Sequence, residues 1–379
     1  MKRLIVVILV FGMIFGNIVY AEQGKPCAAY CVAEQRTGKM VAGENAQQQM
    51  FPAGLTKLMS FLLFFEALEE GSVRADTEVS ISPNAASKGG TSVFLDAGAS
   101  YPFSELLQAA VVSSGNDAAT ALAECIAGNE AAFTERMNSR SKELGLGCSF
   151  ADPTGLSPDT RASAEELAVI AAELAEHDEF FKYSTIWTYR FTHRSGRETE
   201  LTSANKLIKS ETYDGMMTGS AKEAGYCLAA SMKQNGSRFI CVVMDAKTSD
   251  DRFLLASEKL SAAAAEYESQ EIVRKGEKVK NAEVKGAREK EVPICAAEDL
   301  SLLLKKGTEV QKSLNLRENL SAPLTAGEKA GELIVTASDG TKYAVELIVG
   351  EDVAENSFGS SFGKILSIWL DGSRANVIL

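Results

Sequence analysis

The string Pro52-Ala53-Gly54-Leu55-Thr56-Lys57, followed without a break by Leu58-Met59-Ser60-Phe61-Leu62-Leu63-Phe64-Phe65, constrains this chain more than any other stretch. A run this apolar reads as a helix, Leu55–Leu68, with Lys57 in its first turn. Residues three apart share one side of a helical turn, so positions 54 and 57 face the same space. A side-chain nucleophile at 54 would stand beside the Lys57 amine. Gly54 offers no side-chain oxygen and can neither attack a carbonyl nor carry an acyl group.

The N-terminus reads as an export signal. Lys2 and Arg3 precede an apolar stretch from Leu4 to Val19, and Val19-Tyr20-Ala21 supplies small residues for cleavage after Ala21. The apolar run falls short of the ~20 residues of a spanning helix. The net charge of −12 becomes −14 once Lys2 and Arg3 leave, which argues against nucleic acid as a partner. Seven cysteines cannot all pair within one chain. Cys27 and Cys31 lie along one expected strand, about 13 Å apart by its rise, too far for a disulfide. Two histidines, with no H-E-x-x-H and no paired C-x-x-C, argue against metal catalysis, and no cofactor is expected.

Strands are expected at Ala28–Ala33, Cys227–Met232 and Phe239–Met244. Helices are expected at Phe103–Val112, Ala118–Ile126, Ala131–Leu144 and Ala164–Leu174, with Ser257–Gln270 leading out of the first domain. Strands at both ends of a domain with helices between them imply one sheet built from distant segments. Val279 to Val349 changes character: Lys/Glu-rich alternation and the turn Asp339-Gly340 between Leu333–Ala337 and Tyr343–Val349 mark a hairpin in a small β domain. In the tail, Phe358, Phe362, Ile365, Leu366 and Trp369 recur at helical spacing, a pattern suited to a membrane interface or to docking on the β domain. The expected division is a signal peptide at 1–21, an α/β domain at 22–262, a β-rich domain at 263–352 and an amphipathic tail at 353–379.

Two further short elements follow Gly54-Leu55-Thr56-Lys57 in order. One is Ser114-Gly115-Asn116. The other is Met217-Thr218-Gly219, preceded by Asp214-Gly215 and followed by Glu223-Ala224-Gly225-Tyr226-Cys227-Leu228. They occupy the places of S-x-x-K, a Ser-x-Asn element and K-T-G. With these, with Lys88-Gly89-Gly90, and with the β domain and tail, the chain resembles the exported D-alanyl-D-alanine carboxypeptidases, the low-molecular-mass penicillin-binding proteins of peptidase family S11.

The resemblance implies a penicillin-binding protein / β-lactamase-like α/β fold: an antiparallel sheet with helices on both faces, plus the β-rich domain. It implies peptidoglycan stem peptides ending in D-Ala-D-Ala as ligands, and a place at the extracytoplasmic face of the membrane or in the wall. It casts Lys57 as the base, Ser114 as a proton relay and Asn116 as a positioning group. Position 217, with Thr218 and Gly219, would receive the substrate carboxylate, and Arg252 stands where relatives carry a nearby arginine. Gly54 and Met217 depart from that pattern, as do Thr154 and Ser220 where relatives often have histidine. The expectation is therefore a carboxypeptidase homologue with little or no hydrolytic activity, binding stem peptides or partnering an active paralogue. The alternatives are a working enzyme using another hydroxyl, such as Thr56 or Ser114, and a purely structural wall protein. Read for packing alone, Lys57, Ser114 and Asn116 would form one hydrogen-bonded cluster, and Arg252 a surface salt bridge.

Overall fold

The computed structural model describes residues 26–234, 236–289, 291–338 and 340–356. The expected signal peptide, the tail helix and Asp339 of the expected turn lie outside the described residues.

Alternation of apolar side chains on both faces builds the main sheet. In chain order its strands are β1 (Ala29–Glu34), β2 (Met40–Glu44), β3 (Tyr213–Ala221), β4 (Gly225–Gln234) and β5 (Ser237–Ala246). They lie in the order β2-β1-β5-β4-β3, every neighbouring pair antiparallel. In β5, Ile240, Val242 and Met244 enter one core while Phe239, Cys241 and Val243 enter another. Such two-sided burial requires helices on both faces.

On one face lies α6 (Ser249–Glu266), which packs Phe253, Ala256 and Leu260 against β4 and β5. It starts earlier than expected because Thr248 and Asp251 form a capping box, and it ends earlier, at Glu266, where the next strand begins at once. The other face carries α1 (Lys57–Glu69), α2 (Phe103–Ser113), α3 (Asn116–Ala127), α4 (Glu130–Glu143) and α5 (Ala164–Leu174). Helix α1 is buried nearly all round, with Leu58, Phe61, Leu62 and Phe64 inaccessible to solvent. A helix that is apolar on every side belongs in the middle of a core. Phe64 meets Phe103 edge-on and Phe133 at 5.4 Å between ring centroids, fixing α1 against α2 and α4.

Beyond α6, Tyr267–Val273 pairs with Leu300–Lys305. A second five-stranded antiparallel sheet comprises β6 (Lys278–Glu283), β7 (Glu291–Ala296), β8 (Val310–Leu316), β9 (Lys329–Ala337) and β10 (Lys342–Val349), in the order β6-β7-β10-β9-β8. It encloses its own core of Ile294, Leu333, Val335 and Leu347. Cys31 carries a free thiol and is not bridged to Cys27. Among the described residues no helix is long and apolar enough to cross a membrane, and no cluster of His, Cys, Asp or Glu is placed to hold a metal.

Candidate active site

Three chain segments converge where α1 begins. The first is a 3-10 turn, Ala53–Thr56, that runs directly into Lys57. It enters with Ala53 at φ +47°, a left-handed conformation rare outside glycine. Gly155 makes room for it: a Cβ there would lie 1.8 Å from the Ala53 carbonyl oxygen. The second segment is the corner between α2 and α3. Ser114 closes α2 in the left-handed region (φ 62°), and Asn116 opens α3 with its N–H donating to the Thr91 carbonyl at 2.8 Å. Behind it, buried Asp117 accepts from the Ser92 hydroxyl and the Val93 and Leu95 N–H groups, holding the 92–95 loop in place. The third segment is β3, an edge strand whose Thr218 and Gly219 pass across the start of α1.

Between them lies a cleft of 270 Å3. Gly54, Lys57, Ser114 and Asn116 line one side; Thr218, Gly219, Ser220 and Arg252 line the other. Met217 does not join them. It is 2% exposed and packs into the core beneath the sheet. No carboxylate lines the cleft, so its charged groups are two cations in a chain of net charge −12.

The expected hydrogen-bonded cluster of Lys57, Ser114 and Asn116 is not formed. The Lys57 Nζ donates instead to the Thr154 carbonyl at 2.8 Å, and the Asn116 side-chain amide donates to the Gly89 carbonyl at 2.8 Å. Asn116 Oδ1 is buried without a partner. The reason is the Asp152-Pro153-Thr154-Gly155 turn. Asp152 accepts from the Thr154, Gly155 and Ser157 N–H groups, and this Asx turn thrusts the Thr154 carbonyl toward the amine. Burial raises the Asp152 carboxyl, but the Thr154 hydroxyl and those backbone donors outweigh it and hold it below its usual range. Burial pulls Lys57 down to about 8, only partly opposed by the negative charge of Asp152.

Arg252 also departs from expectation. It is 6% exposed and forms no surface salt bridge; its Nη1 donates to the carbonyls of Gly219 and Cys227, both at 3.0 Å. Gly219 and Cys227 are cross-strand partners, so the guanidinium clamps β3 to β4 while lining the cleft. Burial lowers its pKa. Neither nearby hydroxyl replaces a nucleophile. Ser60 is fully buried and donates to the Pro153 carbonyl at 2.6 Å, and Thr56 is buried against Gly155, outside the cleft lining.

The space at Gly54 is itself occupied. A Cβ on Gly54 would lie 2.8 Å from the Thr218 carbonyl oxygen and 3.2 Å from Gly219 Cα. A Cβ on Gly219 would lie 2.8 Å from Gly54 N. Two glycine backbones touch where a side chain is expected. Sequence reading missed Asp152, which a D-P-T-G string signals as a turn, and Thr202 and Ala204, cleft residues for which no local signal exists.

Comparison with known proteins gives the family and the fold. Residues 21–248 match the D-alanyl-D-alanine carboxypeptidase family model, and residues 267–355 match that of the penicillin-binding protein 5 C-terminal domain. The chain is 32% identical to the D-alanyl-D-alanine carboxypeptidase DacF of Bacillus subtilis, over 97% of this chain and 99% of the relative. It is 30% identical to DacA of Haemophilus influenzae, over 90% and 88%. Penicillin-binding protein 5 from Haemophilus influenzae superposes with a TM-score of 0.75 at 29% identity, covering 87% of this chain and 98% of that structure. The chain belongs to the D-alanyl-D-alanine carboxypeptidase family, whose members act on the D-Ala-D-Ala ends of peptidoglycan stem peptides outside the cytoplasm.

Proposed function

We propose that this protein binds the D-Ala-D-Ala ends of stem peptides, or partners an active paralogue at the wall, with hydrolysis largely or wholly lost. Gly54 carries this reading. It supplies no nucleophile, and loss of a catalytic serine in a comparable hydrolase costs roughly a million-fold in turnover. The cleft nonetheless keeps what a peptide carboxylate needs: the cations Lys57 and Arg252, the hydroxyls of Ser114, Thr218 and Ser220, and no competing acid. Replacement of the K-T-G lysine by Met217 removes one charge-assisted hydrogen bond, worth about 1.5–3 kcal/mol, so affinity falls by roughly one to two orders of magnitude. An exported, wall-facing location and membrane association through Phe358 to Leu370 belong to the same proposal and rest on sequence pattern alone.

The test is calorimetric titration with a stem pentapeptide ending in D-Ala-D-Ala, alongside a D-alanine release assay. Binding without multiple-turnover release is the expected result. Sustained release would establish a working carboxypeptidase. Absence of both binding and release would leave a structural role.

A further inference from the structure

With no side-chain nucleophile at position 54, the one amine among the residues lining the cleft is that of Lys57, beside the hydroxyls of Ser114, Thr218 and Ser220. Its surroundings are unusual for an ammonium. Lys57 is 2% exposed, and its Nζ has one hydrogen-bond acceptor among the described residues, the Thr154 carbonyl. An ammonium has three protons to place. No carboxylate lies within ion-pair distance, and the nearest acid, Asp152, spends its oxygens on the Thr154, Gly155 and Ser157 N–H groups. An ammonium here leaves two of its protons without an acceptor, so deprotonation is easier than in water, and the neutral fraction donates one proton to Thr154 and keeps a lone pair. Lys57 shares a helical face with Gly54 and itself lines the cleft.

We propose that Lys57 is an acceptor amine that captures strained acyl donors, β-lactams foremost, as a permanent amide. The proposal rests on the reading that the cleft still binds ligands of the D-Ala-D-Ala class. The step is an aminolysis. The Nζ lone pair forms a bond to the β-lactam carbonyl carbon, and the ring C–N bond breaks. Its electron pair stays on the ring nitrogen, which takes up a proton lost by Nζ. Nothing is oxidised or reduced, and the adduct carries the whole mass of the lactam. A serine ester is cleared by water; this amide is not, so the event occurs once per molecule. Burial, which draws the amine down to about 8, leaves roughly a tenth as free base at pH 7.

The full chain is incubated with benzylpenicillin between pH 6 and 9, and intact mass and peptide maps are recorded. In parallel, binding of the D-Ala-D-Ala pentapeptide is titrated. The expected result is a single adduct of one penicillin mass on Lys57, stable to hydroxylamine and suppressed by the pentapeptide. Its rate rises about tenfold from pH 6 to 7 and levels off above about pH 8. Lys57→Arg abolishes the adduct, and mapping on the natural protein decides the matter should that variant fail to fold. A hydroxylamine-labile adduct, one on Ser114 or another hydroxyl, or modification confined to surface lysines overturns the proposal. So does absence of any adduct while the pentapeptide still binds, an outcome that leaves the stem-peptide reading standing. Absence of both adduct and binding ends both.

Discussion

Replacing Gly54 by serine restores the nucleophile motif on paper, yet the structure predicts that it destabilises the protein. The new Cβ would sit 2.8 Å from the Thr218 carbonyl oxygen and 3.2 Å from Gly219 Cα. Ordinary C···O contacts begin at roughly 3.3 Å, so backbone must retreat by about 0.5 Å. Two features resist this. Thr218 and Gly219 are paired with Leu228 and Cys227 of β4, and Arg252 clamps the Gly219 carbonyl. Overpacking of this kind costs about 1–3 kcal/mol. Against it stands a gain of about 0.4–1 kcal/mol from stiffening the unfolded chain, open to Gly54 because its φ is not left-handed.

The net expectation is a loss of about 1–2 kcal/mol by urea denaturation. Gly54→Ala gives a similar loss, which separates packing from chemistry. Equal or higher stability in both variants would refute the claim that β3 has closed over the vacant site. Adding Met217→Lys compounds the cost. Residue 217 is buried in the core, and an unpaired ammonium there costs several kcal/mol or gives up its proton. The two sites are adjacent through Thr218, so their effects are not additive.

Lys57→Met should stabilise the protein at pH 7. The lysine value drops from the usual 10.5 to about 8 on folding, a penalty of roughly 3 kcal/mol on the protonated folded state. Losing the bond to Thr154 offsets about 1 kcal/mol, leaving a gain of about 1–2 kcal/mol. In the natural protein the unfolded chain holds this proton more tightly, so stability rises with pH between about 8 and 10.5. Denaturation curves for the methionine variant should lack that rise, and an unchanged slope would show the amine to be charged in the fold. Arg252→Gln should weaken pentapeptide binding at least tenfold and also lower the melting temperature, because the clamp between Gly219 and Cys227 goes with the charge; undiminished affinity would remove Arg252 from the ligand site. Phe362→Ser combined with Trp369→Ser should shift the protein from the membrane fraction to the soluble one, and an unchanged membrane fraction would defeat the anchoring idea.

Much of the fold was legible because apolar spacing decides it. Helices α2 to α5 and strands β1, β4 and β5 all fall within two residues of their expected limits on the α/β side. Strand β3 was not legible: Asp214-Gly215-Met216-Met217-Thr218-Gly219 has two glycines and no β-branched run, and its neighbours alone hold it in the sheet. The fate of Met217 was hidden for a related reason. The register of β3 shifts between Tyr213 and Gly215, and a one-residue shift sends a side chain to the other face. Six of the seven motif residues, and Arg252 expected from the resemblance, line one cleft; Met217 does not. Their hydrogen bonds were beyond reach, because the Asp152 turn and the approach of β3 to Gly54 depend on segments about a hundred and more residues from α1.

The polar groups kept around the cleft argue for a ligand more than for packing. Lys57 is buried with one acceptor, Asn116 Oδ1 is buried with none, and Arg252 Nε is buried with none. Each unpaired buried group costs on the order of 1–3 kcal/mol, and apolar replacements of similar shape would recover it. These groups do not satisfy one another; unpartnered buried polar atoms also occur away from the cleft, at Thr120, Asn205, Arg238 and Ser269, so what sets these apart is that their residues line one cleft. That cleft has two basic side chains and no acid. Under the proposed function, an incoming peptide would supply a carboxylate for the cations and amide groups for Asn116. On this account ligand binding raises stability more than a solvated cleft of the same size would allow. A stem peptide should therefore protect the α1 start and the β3 edge from hydrogen exchange, and leave the β6–β10 sheet unchanged. Protection spread evenly over both sheets, or absent from the cleft, would mean that these unpaired groups are remnants rather than a binding site.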